Sequence, residues 1–334
     1  MEHPELEFSD IYSFQPKFDR TKLMVKTFSD RNLIDLAREN TQLMEMYVSI
    51  LAKDYMLYMH TNQASYFIRR KNIHTIWQRK DLIQYNDLFY SLTDVPVEKR
   101  NPLAPKRLIV IFSPMPPIEK YSSANLGERC FVPSFPSIQK HLLKDTMVMR
   151  IMDLNLSHGS HYINSTTYPT MESDIQGAIQ NVIANHEIHK DDVVLYGGSK
   201  GGTGALYHSL LGNYHSVSVD PIISLQQYNE ENDLHFLKNF RQTNLLNRMQ
   251  ALVKKDDLRK QYILGTPTVP FNYDLYKQLA SPSIEIIDIF DSAIKKHADI
   301  SKNSVVEQVT YMNEIFLSSE NYKKELEQLR EIAG

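Results

Sequence analysis

The second half of the chain is punctuated by six short runs that read as strands, of which the first two are apolar with no alternation. They are Leu108-Ile-Val-Ile-Phe112, Met147-Val-Met-Arg-Ile-Met152, Val193–Tyr196, His215-Ser-Val-Ser-Val219, Gln261-Tyr-Ile-Leu-Gly265 and Ile284–Ile289. A continuous apolar run of this length marks a strand buried on both faces, as in a parallel sheet. Helical spacing fills the gaps between them. Ile175, Ile179, Val182 and Ile183 share one face of a helix over 171–187, and Ala205, Leu206, Leu210 and Leu211 follow the third run. Val305, Val309, Met312 and Ile315 predict terminal helices over 301–331. Strands alternating with helices imply an α/β fold with a doubly wound, mostly parallel sheet. Ligands of such sheets bind at the carboxyl ends of the strands.

The first hundred residues follow other periods. Residues 1–30 show none, and we expect them to be irregular. Asn32 to Met59 predicts one long helix, with Leu33, Leu36, Ala37, Leu43, Met44, Tyr47, Leu51 and Tyr55 at helical spacing. The Met44, Met46, Met56 and Met59 stripe reads as core filling. Residues 66–90 alternate weakly and predict short strands or a small α/β cap. Pro96, Pro102 and Pro105 mark a linker. The expected division is an accessory segment over 1–100 and an α/β domain over 101–334. The polar, Asn- and Gln-rich 225–260 region is the candidate lid of that domain.

Composition narrows the function. The net charge of −3 gives no basic field to recruit nucleic acid or anionic membrane. No apolar run approaches the roughly 20 residues that span a bilayer. Cys130 is the single cysteine, which excludes an intrachain disulfide. With the acidic start Met1-Glu-His-Pro-Glu5, unlike a signal peptide, it predicts a cytoplasmic protein.

The chemistry gathers at Val193-Val-Leu-Tyr-Gly197-Gly-Ser199-Lys-Gly201, an apolar strand, a glycine turn and a helix start. Gly197-x-Ser199-x-Gly201 is the G-x-S-x-G nucleophile elbow, which lifts a serine hydroxyl above the sheet on a strained turn. With the strand pattern, it predicts an α/β-hydrolase-like fold. The Walker and dinucleotide glycine patterns both fail on spacing.

A serine hydroxyl needs a base, and the base needs an orienting acid. In this fold the chain order is serine, acid, histidine. Ser199, Asp274 and His297 obey it, and Asp220, one strand earlier, is the rival acid. The oxyanion hole is expected from the backbone N–H of Lys200 and one from Ser113 or Met115, because Pro114, Pro116 and Pro117 have none. The Lys200 side chain and Arg129 are candidate contacts for an anionic substrate. His158, His161 and Asn164 are expected to wall the acceptor site. Two histidines without a third ligand make no metal site, so no metal is expected.

Tyr196-Gly-Gly-Ser-Lys-Gly-Gly-Thr-Gly-Ala-Leu-Tyr207, with Ser218-Val-Asp-Pro-Ile222 and Gly159-Ser-His-Tyr-Ile-Asn164, resembles the XcbB/CpsF-type capsular polysaccharide biosynthesis proteins of bacteria. The resemblance covers roughly residues 105–320. It implies kinship with α/β-hydrolase-fold O-acetyltransferases of capsules. It also implies a Ser–Asp–His triad, acetyl-CoA as acyl donor and a glycan hydroxyl as acceptor, the alternatives being an esterase acting on the same polymer and a non-catalytic component of a capsule assembly complex. Capsule biosynthesis proteins are the implied partners. Ser199 carries over most directly, then His297, then Asp274.

Overall fold

A computed structural model describes residues 5–101, 104–230, 233–254 and 259–333. Two sheets organise it. The smaller contains β1 (Leu6–Asp10), β2 (Lys22–Lys26), β3 (Tyr55–Thr61) and β4 (Ala64–Arg69), in the order β1-β2-β4-β3. The larger contains β5 (Leu82–Tyr85), β6 (Leu88–Thr93), β7 (Arg107–Phe112), β8 (Thr146–Ile151), β9 (Val193–Gly198), β10 (His215–Val219), β11 (Gln261–Gly265) and β12 (Ile284–Asp288). Its order is β12-β11-β10-β9-β7-β8-β6-β5. The strands from β7 to β12 pair in parallel, while β6 and β5 are antiparallel. The fold is therefore α/β with a mostly parallel sheet. Residues 82–93 belong to this sheet, so it begins ahead of the boundary expected at 100.

The helices are α1 (Leu33–Ala37), α2 (Thr41–Leu51), α3 (Leu126–Cys130), α4 (Met171–His186), α5 (Lys200–Gly212), α6 (Gln226–Glu230), α7 (Leu246–Leu252), α8 (Pro270–Tyr276), α9 (His297–Ile300), α10 (Val305–Ser318) and α11 (Glu320–Ala333). The single helix expected over 32–59 is instead α1, α2 and β3. Asn32 and Asn40 each accept an N–H as N-cap, which divides the pattern. Asp54, at φ 61°, then turns the chain into β3. Residues 1–30, expected to be irregular, supply β1 and β2. Their unbroken apolar stretch is only Leu23-Met-Val25, too short to show a period.

The candidate lid does not stand apart. Leu225, Phe236, Leu237 and Phe240 share one core with Leu23, Val25, Leu33, Tyr47 and Phe67 of the first sheet and its helices. Phe236 is fully buried, so truncating it to alanine costs about 3–5 kcal/mol. The Tyr47 hydroxyl donates to Ser157 Oγ at 2.6 Å, and Arg38 Nη1 donates to the Leu234 carbonyl at 3.2 Å. The N-terminal layer thereby clamps both the 225–240 segment and the 153–165 loop onto the larger sheet.

Candidate active site

β9 ends at Gly198 and α5 begins at Lys200, so Ser199 alone makes the turn, at φ 56° and ψ −121°. A non-glycine residue held there costs on the order of 1–3 kcal/mol and persists only where its surroundings fix it. Here the Ser199 N–H donates to the Val219 carbonyl at 2.8 Å. A Cβ on Gly197 would come within 2.3 Å of the Gly201 backbone, and one on Gly201 within 2.0 Å of the Phe112 carbonyl oxygen. Both glycines are therefore steric requirements of the turn.

Ser199 Oγ lies 2.7 Å from His297 Nε2, and His297 Nδ1 lies 2.5 Å from Asp220 Oδ2. With Nδ1–H donated to the carboxylate, Nε2 presents its lone pair to the serine hydroxyl. Asp220 follows β10, whose Val219 pairs with Gly198 of β9. Asp220 and Ser199 thus leave neighbouring strands side by side. Asp220 is held at φ 42° with its N–H donating to the Leu264 carbonyl at 2.8 Å. His297 opens α9. The Asp299 side chain accepts the N–H groups of Lys295 and Lys296 at 3.1 and 3.2 Å, fixing that entry.

Asp274, expected as the acid, is not the partner of His297. It lies within α8 on the exposed side. Helical geometry places Asn272 and Tyr276 inward instead. Asn272 Nδ2 approaches His297 Nδ1 at 3.4 Å. Tyr276 is fully buried, and its hydroxyl occupies the space a Cβ on Gly265 would fill, 1.7 Å from that position. Burial, then the charge of Asp220, pushes the Tyr276 phenol well above its usual range.

The first turn of α5 leaves the Lys200 N–H without an intrahelical partner. The loop after β7 lies against this helix, since a Cβ on Gly201 would stand 3.0 Å from the Ser113 carbonyl carbon. Ser113 is buried and accepts the Tyr162 hydroxyl at 3.1 Å, while Met115 is half-buried.

The side chains expected to touch an anionic substrate do not face one. Lys200 is fully buried, 3.3 Å from Asp153 Oδ2 and donating to the His158 carbonyl at 2.9 Å. Arg129 is also fully buried and donates to the carbonyls of Ser157 and Leu57. His158 Nε2 donates to the Tyr121 carbonyl at 2.7 Å. Asn164 Oδ1 accepts the Glu172 N–H at 2.8 Å, and its own N–H donates to Glu172 Oε1 at 2.9 Å, securing the start of α4. In each case the side chain is engaged with backbone groups of the protein itself.

The sequence reading missed His235 and Tyr228. His161 Nε2 lies 3.3 Å from His235 Nδ1, and Tyr228 stacks on His235 at 4.6 Å. Burial, reinforced by the Lys200 charge, pulls His235 down to about 3. Burial and the neighbouring Arg241 hold His161 well below its usual value. Burial and the Arg129 charge do the same to His158. All three imidazoles are neutral at pH 7. Asp233-Leu-His235-Phe236 carries no motif that marks its histidine. Among the described residues, no group of three or more His, Cys, Asp or Glu side chains is placed to hold a metal ion, and no helix is long and apolar enough to cross a membrane.

No family model matches the sequence, and no curated protein does. Solved structures do resemble the fold. The capsule O-acetyltransferase of Neisseria meningitidis serogroup A superposes at a TM-score of 0.49 and 15% identity, over 71% of this chain and 94% of that one. A glycosylation-associated protein (Gap123) complex from Streptococcus agalactiae gives 0.48 and 17%, over 72% of this chain and 46% of that one. An arylesterase gives 0.47 and 15%, over 85% and 93%. Identities this low carry no residue role from one chain to another.

Proposed function

We propose that this α/β-hydrolase-like chain is a serine-dependent O-acetyltransferase acting on a bacterial capsular or other surface polysaccharide. The observation that carries the catalytic part is the unbroken relay Ser199–His297–Asp220, with both contacts at hydrogen-bond distance. His297 Nε2 takes the proton of Ser199 Oγ as the oxygen attacks the thioester carbonyl of acetyl-CoA. The N–H of Lys200, with one from Ser113 or Met115, stabilises the oxyanion. The imidazolium returns its proton to the departing CoA sulfur, leaving acetyl-Ser199. A glycan hydroxyl, deprotonated by His297, then attacks the ester and frees the serine.

The donor and acceptor rest on the resemblance to the XcbB/CpsF-type proteins, which also makes other capsule biosynthesis proteins the expected partners. Lys200 and Arg129 are both engaged internally, so neither holds the phosphates of CoA. One observation favours hydrolysis as a second reading. The His297 side chain is 26% exposed, so water reaches the base. Transfer requires a bound hydroxyl to outcompete that water through its effective molarity.

The deciding experiment mixes the enzyme with acetyl-CoA, with and without capsule oligosaccharide, and follows CoA, acetate and acetylated sugar. Transfer gives slow CoA release alone, faster release with the saccharide, and acetyl groups on sugar. One acetyl of added mass on wild type, absent from Ser199→Ala, marks the intermediate. Rapid acetate release that no saccharide diverts leaves the esterase reading.

A further inference from the structure

Arg241 is only 7% exposed, and its Nε, Nη1 and Nη2 are all buried without a hydrogen-bond partner among the described residues. A guanidinium has five N–H donors and a permanent charge, so this is an unusual state. Other buried arginines here are engaged. Arg70 pairs with Asp54 and Asp87, and Arg129 donates to two carbonyls. The acids nearest Arg241 in electrostatic terms are Asp153 and Glu172. Both are occupied. Asp153 faces Lys200, and Glu172 holds Arg248 at 2.6 Å and accepts the Tyr207 hydroxyl at 2.9 Å. Burial draws the Arg241 guanidinium down to about 9, which leaves it charged at pH 7.

The surroundings repeat the same deficit. His161 Nδ1 and His235 Nε2 are buried and unpartnered. The two rings share one hydrogen bond through their other nitrogens. Whichever ring donates there, one of the two orphaned nitrogens carries a hydrogen and the other a lone pair. A neutral donor therefore lies within electrostatic reach of a charged fork. The loop that carries His161 touches the elbow, because Lys200 Nζ donates to the His158 carbonyl at 2.9 Å, and His235 lies within electrostatic reach of His297. On the solvent side, Arg241 lines an open depression of about 400 Å³ together with Asn164, Ser165 and Gln242.

We propose that Arg241, with His161 and His235, forms an oxyanion subsite that takes a carboxylate or phosphate group of the substrate acted on at Ser199. The planar fork matches either group bidentately, and a negative charge balances a cation that no acid among the described residues pairs with. This rests on the reading of Ser199 as the reacting residue and adds the chemistry of what it acts on.

The test measures melting midpoints of the full chain as wild type, Arg241→Gln, Arg241→Lys and the control Arg79→Gln, an exposed arginine paired with Asp81. The probes are inorganic phosphate, CoA, N-acetylglucosamine 1-phosphate and glucuronate, with neutral N-acetylglucosamine as blank, at constant ionic strength. At least one anion should stabilise wild type and Arg79→Gln. The apparent Kd should weaken on the order of tenfold or more in Arg241→Lys, which keeps the charge and loses the fork, and further in Arg241→Gln. A response to CoA alone places the anion on the donor, and a response to the sugar anions places it on the acceptor. No stabilisation of wild type by any anion overturns the subsite, as does a response in both Arg241 variants equal to that of wild type. Fluorophosphonate labelling of Ser199 in the same preparations is read separately. An unlabelled wild type sinks the serine reading, while the anion response stands or falls on its own.

Discussion

Asp220 Oδ2 lies 2.5 Å from His297 Nδ1 across 77 residues of sequence. The Asp220 side chain is 2% exposed and the imidazole 26%. The carboxylate thus acts from the dry side, where it fixes the ring orientation and the Nδ1–H tautomer. The other nitrogen is left for Ser199.

Asp220→Asn should therefore lower kcat by about 10⁴ without unfolding the protein, because an amide can donate to Nδ1 and hold the wrong tautomer. Asp274→Asn, on the exposed side of α8, should leave kcat within about twofold of wild type, as surface changes of this kind usually do. Both are read in one acetyl-ester turnover assay. A silent Asp220→Asn would return the acid role to another residue.

Ser199 and His297 should behave as one unit. Ser199→Ala and His297→Ala should each reduce kcat by about 10³ or more, and the double variant should be little worse than either alone. Single and double variants are compared by kcat at saturating ester. Multiplicative losses would show that the two side chains act independently, against the 2.7 Å contact.

The central sheet and the elbow are legible because their signals are local. Val193–Tyr196 is apolar without alternation, and Gly197 and Gly201 flank Ser199 where side chains would collide. The acid is less legible because its identity depends on which strand neighbours β9. The pairing of Val219 with Gly198 decides it, and that is a long-range fact. The same holds for Lys200 and Arg129. Their charge suggests a surface role, but both are fully buried among groups supplied by distant segments. The Asn32–Met59 pattern misleads for a different reason. The apolar spacing of α2 runs on into Tyr55 and Met56 of β3, both of which are buried in a strand.

The Lys200–Asp153 pair, fully buried on both sides, should be a stability determinant. Lys200→Met leaves the Asp153 charge uncompensated and should cost about 3–5 kcal/mol. Adding Asp153→Asn removes that charge while keeping an acceptor for the Ser160 N–H, which Asp153 Oδ1 now accepts at 3.0 Å. The double variant should recover at least half of the loss in urea unfolding. If it is no more stable than Lys200→Met, the penalty comes from lost packing around the lysine stem.

Acid lability should follow from four buried histidines. His235 is held at about 3 and His208 at about 4, chiefly by burial, and His158 and His161 lie well below the ordinary 6.5 for the same first reason. Each binds its proton more readily in the unfolded chain. Between the folded values and 6.5 the unfolded state therefore carries more protons, and stability rises with pH. Above 6.5 this contribution is complete, and it is lost as the pH falls below that value. Near pH 5 His235 and His208 should each contribute about one proton to the slope, worth about 1.4 kcal/mol per pH unit, and His158 and His161 add in the same direction. Urea midpoints from pH 7.5 to 5 measure it. His208→Gln is the discriminating variant. His208 Nε2 donates to the Tyr162 carbonyl at 2.8 Å, a bond that a glutamine amide can make without a titrating group. That variant should remove about one proton from the slope and leave Ser199 reactive. A stability that stays flat from pH 7.5 to 5 would mean that these imidazoles are protonated, and paired, in the folded protein.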